Sequence, residues 1–103
     1  TYGMTTTLIL PATNWTEAYK ISKKLFHLPQ GISPNFNELG STTTLTNIHK
    51  RERTLQDELT IEVDNAKKIN AINYTYAIKS YKRTLHISKH KDGFKILEKE
   101  ISL

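Results

Sequence analysis

The chain has 103 residues, the size of one domain, and carries 15 Lys and Arg against 10 Asp and Glu for a net charge of +5. Its residues are 37% hydrophobic and 24% charged, enough apolar content for a core and too much for a disordered chain. The absence of cysteine excludes disulfide scaffolds, zinc–thiolate centres and thiol catalysis, and the longest apolar run, Leu8-Ile9-Leu10, is too short to span a membrane as a helix.

In chain order, Thr5 to Leu10 is a short strand candidate that Pro11 ends. Residues 14–28 form the one N-terminal amphipathic helix. At about 100° per residue, Ala18, Tyr19, Ile21, Leu25, Phe26 and Leu28 share an arc with Trp15. Thr16, Glu17, Lys20, Lys23, Lys24 and His27 fill the opposite arc. Asn14 is placed to cap the first turn and Glu17 to close a capping box. Lys23, Lys24 and His27 suit the negative end of the helix dipole. Pro29 and Gly31 then stop the helix. Residues 30–40 read as a long loop, rich in Gly, Pro and Asn but holding Ile32, Phe36 and Leu39. Phe36 either anchors that loop to the core or is offered to a partner.

After Gly40 the hydrophobic period changes from 3.6 to 2. Thr42 to Lys50 is threonine-rich, as strands are. Asp57 to Val63 places Leu59, Ile61 and Val63 on one face. Ile69 to Ile78 does the same with Ile72, Tyr74, Tyr76 and Ile78. Tyr81 to His90 groups Tyr81, Leu85 and Ile87, and Phe94 to Leu103 groups Leu97, Ile101 and Leu103.

Parity restricts the pairing, because a slip of one residue exposes every apolar side chain. A loop of Asn65 to Lys68 sets Ile61 opposite Ile72 and Leu59 opposite Tyr74. Either even-length turn near Lys79-Ser80 keeps the faces matched. A three-residue loop Lys91-Asp92-Gly93, with Gly93 left-handed, sets Ile87 opposite Leu97 and Arg83 opposite Ile101. An Asp92-Gly93 loop would set Ile87 against Glu98 and is rejected. The expected fold is α+β over residues 1–103: the helix packed on a four- to five-stranded antiparallel meander sheet within residues 42–103. This order, helix 14–28 and then the strands, resembles small cystatin-like or NTF2-like domains. The resemblance implies an arrangement only. The Gln-x-Val-x-Gly pattern of inhibitory cystatins does not occur, and no residue role is carried over.

The outer sheet face is then expected to show Glu58, Thr60, Glu62, Asn73, Thr75, Thr84, His86, Ser88, His90, Glu98 and Glu100. His86 opposite Glu98 would suit an oriented base or a metal ligand. A solvated face with one cross-strand pair explains it as well. His86 and His90 lie about 13 Å apart along a strand and cannot share a metal. No strained turn presents Ser88 as a nucleophile, and isolated glycines build no phosphate loop. The reading is therefore no catalytic residue, no metal, no cofactor and no enzyme.

Residues 79–95 hold Lys79, Lys82, Arg83, Lys89, Lys91 and Lys95 against Asp92, which accounts for the whole net charge of +5. His49 to Arg53 adds a smaller basic knot. Single-strand binders need exposed aromatics for stacking, and here the tyrosines share the core-facing parity. The leading expectation is a small binding or inhibitory module that acts through a protein partner. Its candidate contact residues are Phe36, His86, His90 and Glu98, and it is a monomer or weak dimer. The second reading is weak binding of nucleic acid or an anionic surface through the basic hairpin. The strand from Phe94 to Leu103 is a candidate exposed edge.

Thr1 is not an initiator residue, and Met4 is readable as a start behind a Thr-Tyr-Gly remnant. No signal peptide is recognisable. Absence of cysteine suits both a cytoplasmic and a periplasmic or secreted setting. Asn14-Trp15-Thr16 and Asn73-Tyr74-Thr75 match the glycosylation acceptor triplet, which Asn- and Thr-rich chains contain by chance.

Overall fold

The change of period at Gly40 separates a helix from an antiparallel meander. The computed structural model describes residues 2–28, 36, 40–46 and 54–103. Its elements are β1 (Tyr2–Leu10), α1 (Trp15–Phe26), β2 (Thr43–Thr46), β3 (Gln56–Val63), β4 (Ile69–Ile78), β5 (Tyr81–His90) and β6 (Gly93–Ser102). The strands form one six-stranded sheet in the order β1-β6-β5-β4-β3-β2, with every neighbouring pair antiparallel. The sheet therefore has more strands than the four or five expected. The short N-terminal strand joins it against β6, from Tyr2 opposite Ser102 to Leu10 opposite Phe94. This corrects the expectation that β6 is an exposed edge: among the described residues β1 and β2 are the edges.

α1 starts where its capping residues predict. Asn14 Oδ1 accepts from the Glu17 amide at 2.9 Å. The Glu17 carboxylate reaches back to the Thr13 hydroxyl at 2.8 Å, one residue earlier than the reciprocal capping box requires. The helix ends at His27, whose left-handed backbone (φ 54°) turns the chain while the Leu28 amide donates to the Lys23 carbonyl. Pro29, Gly31, the rest of the 30–40 loop apart from Phe36 and Gly40, and the His49 to Arg53 knot lie outside the described residues. Ala18 and Ser22, four residues apart, are fully buried, so a seam of small residues faces the sheet. The Ser22 hydroxyl is satisfied by the Ala18 carbonyl at 2.7 Å. Trp15, Tyr19 and Leu28 bury around this seam, whereas Leu25, assigned to the apolar arc, is 52% exposed at its margin.

Under the helix, the register stacks Ile61, Ile72, Ile87 and Ile96 across four adjacent strands, with Leu8 of β1 continuing the row. The four isoleucines are buried, and burial of each contributes about 1.5–3 kcal/mol. Leu59, Tyr74 and Leu85 form a parallel buried row. The β3–β4 and β4–β5 pairings match the parity expected from sequence, apart from a register shift at Glu62/Val63.

The β5–β6 hairpin does not. His90 faces Gly93 and Ile87 faces Ile96, so the loop is the two residues Lys91-Asp92. A loop one residue shorter reverses the parity of all of β6. Phe94 and Ile96 consequently enter the core, at 3% and 0% exposure, and Leu97 and Ile101 turn outward. This parity brings the start of β6 against the end of β1. Gly93 (φ 137°) approaches the end of that strand so closely that a Cβ would stand 2.0 Å from the Leu10 carbonyl oxygen. Glycine is needed there for a long-range backbone approach, and Gly93 begins the strand instead of closing the turn.

Candidate functional site

One face of the sheet carries α1 and the core. The other is covered by nothing among the described residues. The register gives its composition. From the β2 side come Thr44 and Thr46, then Glu58, Thr60 and Glu62 of β3, then Asn73 and Thr75 of β4. Thr84, His86, Ser88 and His90 follow on β5 with Lys82. On β6 the outward residues are Lys95, Leu97, Lys99 and Ile101, alternately cationic and apolar, and β1 adds Thr5, Thr7 and Ile9.

This face is divided electrostatically. Its carboxylates, Glu58 and Glu62, stand on β3, and its lysines, Lys82, Lys95 and Lys99, stand on β5 and β6. Between those lysines Ile9 is 39% and Ile101 42% exposed, with Leu97 half-buried among them. Each apolar side chain is bordered by lysines, Ile9 by Lys95, Leu97 by Lys95 and Lys99, and Ile101 by Lys99 and Lys82, and the lysine stems extend the apolar area. The alternation is visible in the sequence of β6. The three-residue loop expected from sequence, Lys91-Asp92-Gly93, would instead turn Leu97 and Ile101 toward the core.

His86 stands on this outer face, opposite Leu97 and Asn73, not opposite Glu98. Its Nδ1 is 2.5 Å from Asn73 Oδ1. An open depression of about 310 Å³ lies beside the pair, lined by Thr75, Thr84, Leu97 and Lys99 as well. The amide oxygen orients the imidazole. His90 lies at the strand end, 3.9 Å from the Asp92 carboxylate across the turn. No group of three His, Asp or Glu suited to a metal ion occurs among the described residues.

Glu98 is on the helix side, a consequence of the β6 parity, and Glu100 shares its face. Arg83 Nε and Nη2 both donate to Glu98 Oε2, at 2.8 and 2.5 Å, and the guanidinium lies 5.8 Å from the centre of the Phe26 ring. This largely enclosed pair joins β5, β6 and the end of α1. Nearby, burial and then the Glu100 carboxylate push the Tyr81 hydroxyl above its ordinary range. Phe36 also sits on the helix side, 5.6 Å centre to centre from Tyr19, and packs against the core. The candidate contact residues are therefore not one cluster: His86 and His90 face outward, while Phe36 and Glu98 belong to the packed side.

The basic hairpin is dispersed as well. Lys79 is in the β4–β5 turn and Lys91 in the β5–β6 turn, at opposite ends of β5 and roughly 30 Å apart. Arg83 is committed to Glu98. Lys82 and Lys95 face outward, and Lys89 lies on the parity of the helix side. A second basic group, unremarked in the sequence beyond its solvent-facing arc, is on α1. Lys20, Lys23, Lys24 and His27 line a shallow depression of about 350 Å³.

Three further observations bear on function. No helix among the described residues is long and apolar enough to cross a membrane. Tyr19 Oη is buried with no hydrogen-bond partner among the described residues, and burial pushes its pKa up to about 12. No family model matches the chain, and no curated protein or solved structure matches it.

Proposed function

We propose that the chain is a small, non-catalytic binding module that engages an acidic protein partner through the β5–β6–β1 part of its outer face. The observation that carries this reading is the exposed apolar group Ile9, Leu97 and Ile101 set among Lys82, Lys95 and Lys99. Apolar anchors bordered by charge suit a binding patch, and the lysines select a partner rich in Asp and Glu. Association is then steered by charge and held by apolar burial. The cystatin-like or NTF2-like resemblance supplies an arrangement of helix and sheet to this reading and no contact residue.

Binding to nucleic acid is the second reading. It draws on the basic residues Lys79, Lys82, Arg83, Lys89, Lys91 and Lys95, whose spread over both faces and both ends of β5 favours it less. Capture from source-cell extract on the immobilised chain, with and without nuclease, separates the two. A protein retained after nuclease and lost with Lys95→Glu/Lys99→Glu is the expected result. Capture abolished by nuclease would overturn the protein-partner reading in favour of the second.

A further inference from the structure

We propose that β1 pairs edge to edge with β1 of a second copy of this chain, about a two-fold axis passing beside Thr6. This proposal stands on β1 alone and does not depend on the partner-binding reading. β1 closes one end of the strand order, so one of its backbone edges faces solvent among the described residues. Residues 2–9 are all exposed. Proteins normally protect such an edge with lysine, proline, a bulge or shortness. β1 has none of these: Tyr2–Leu10 contains no charged residue and no proline, and it pairs with β6 over nine residues without a register shift. The opposite edge, β2, is short at four residues.

The geometry selects a second copy over an arbitrary peptide. Directly opposed residues of an antiparallel pair point to the same face, so a two-fold pairing of β1 with itself must centre on a residue. Centring on Thr6 is the register that overlaps all of Tyr2–Leu10. On the helix side it sets Tyr2 against the partner's Leu10 and Met4 against the partner's Leu8. On the outer side it sets Gly3 against the partner's Ile9 and Thr5 against the partner's Thr7. Every exposed apolar residue of the strand then meets an apolar residue or glycine. Tyr2, Met4 and Leu8, exposed in the single chain, are covered, and the row Ile87, Ile96, Leu8 continues into the partner's Met4. Ile101 and Gly3 likewise run on to the partner's Ile9, so the dimer joins the two outer patches into one surface.

The cysteine-free sequence makes the register directly testable. In Thr6→Cys the two introduced thiols face each other within disulfide reach. In Thr5→Cys the two thiols are offset by two positions, because position 5 opposes position 7. Mild oxidation of purified Thr6→Cys is expected to give a disulfide-linked dimer at least about tenfold faster than Thr5→Cys, with native circular dichroism in both. Sedimentation equilibrium of the unmodified chain is expected to show a monomer–dimer equilibrium that Leu8→Lys abolishes. A chain that stays monomeric to about 1 mM would overturn the proposal, as would equal cross-linking rates for the two cysteine variants.

Discussion

Arg83 and Glu98 meet beneath the Phe26 ring, two nitrogens of one guanidinium on a single carboxylate oxygen, because β6 starts at Gly93 and turns its even-numbered residues toward the helix. Glu98 is buried and Arg83 largely so. A pair enclosed to this degree contributes less to net stability than its geometry suggests, since both charges lose their hydration. Removing one partner is worse than removing both. Glu98→Leu is expected to cost about 3 kcal/mol in urea unfolding, while Arg83→Met/Glu98→Leu recovers most of that loss. If the double substitution costs as much as the sum of the singles, the pair is not acting as a coupled unit.

Gly93→Ala tests the close approach of β1 to the β5–β6 hairpin. The added methyl must share space with the Leu10 carbonyl, on backbone that L-residues rarely adopt. A destabilisation of about 3 kcal/mol is expected, with hydrogen exchange accelerated most in β1. A loss confined to a few tenths of a kcal/mol would mean that β1 does not approach the hairpin as described.

Tyr19→Phe should stabilise the chain. The hydroxyl is buried beside Phe36 without a partner among the described residues, so deleting it removes an uncompensated polar group and is expected to gain about 1 kcal/mol at neutral pH. The pH dependence has a definite sign. The folded-state pKa is raised from 10.0 to about 12, so the folded state disfavours the phenolate: ionisation of this group takes nothing from stability below pH 10 and lowers it as pH rises from 10 toward 12. Tyr19→Phe is expected to flatten that alkaline fall in thermal unfolding midpoints. Parallel pH profiles for the two proteins would show that Tyr19 ionises as freely folded as unfolded.

Much of this fold is legible from local pattern. The limits of β4 and β5, the helix with its Asn14 cap, and the pairing of Ile61 with Ile72 all follow from period and parity. The β5–β6 register did not, for a specific reason. Gly93 looks like a turn glycine until β1 is laid against it, and nothing near it in sequence reveals that contact. Lys95 and Lys99 did carry the corrective signal, since core parity for Leu97 and Ile101 would have aimed both lysines the same way. The placement of His86 on the open face was legible, whereas that of Glu98 depended on the loop length and went with it. The β1 edge is likewise a product of strand order, which alternation within one strand does not encode.

The partner-binding role proposed for the outer patch around Leu97 is tested most directly by the affinity of a captured partner for three proteins. These are the unmodified chain, Leu97→Glu, and Thr44→Glu on the same face but roughly 19 Å away across the sheet. Isothermal titration calorimetry is expected to show at least about tenfold weaker binding for Leu97→Glu and an unchanged affinity for Thr44→Glu. Equal affinities for Leu97→Glu and the unmodified chain, with both folded by circular dichroism, would contradict the claim.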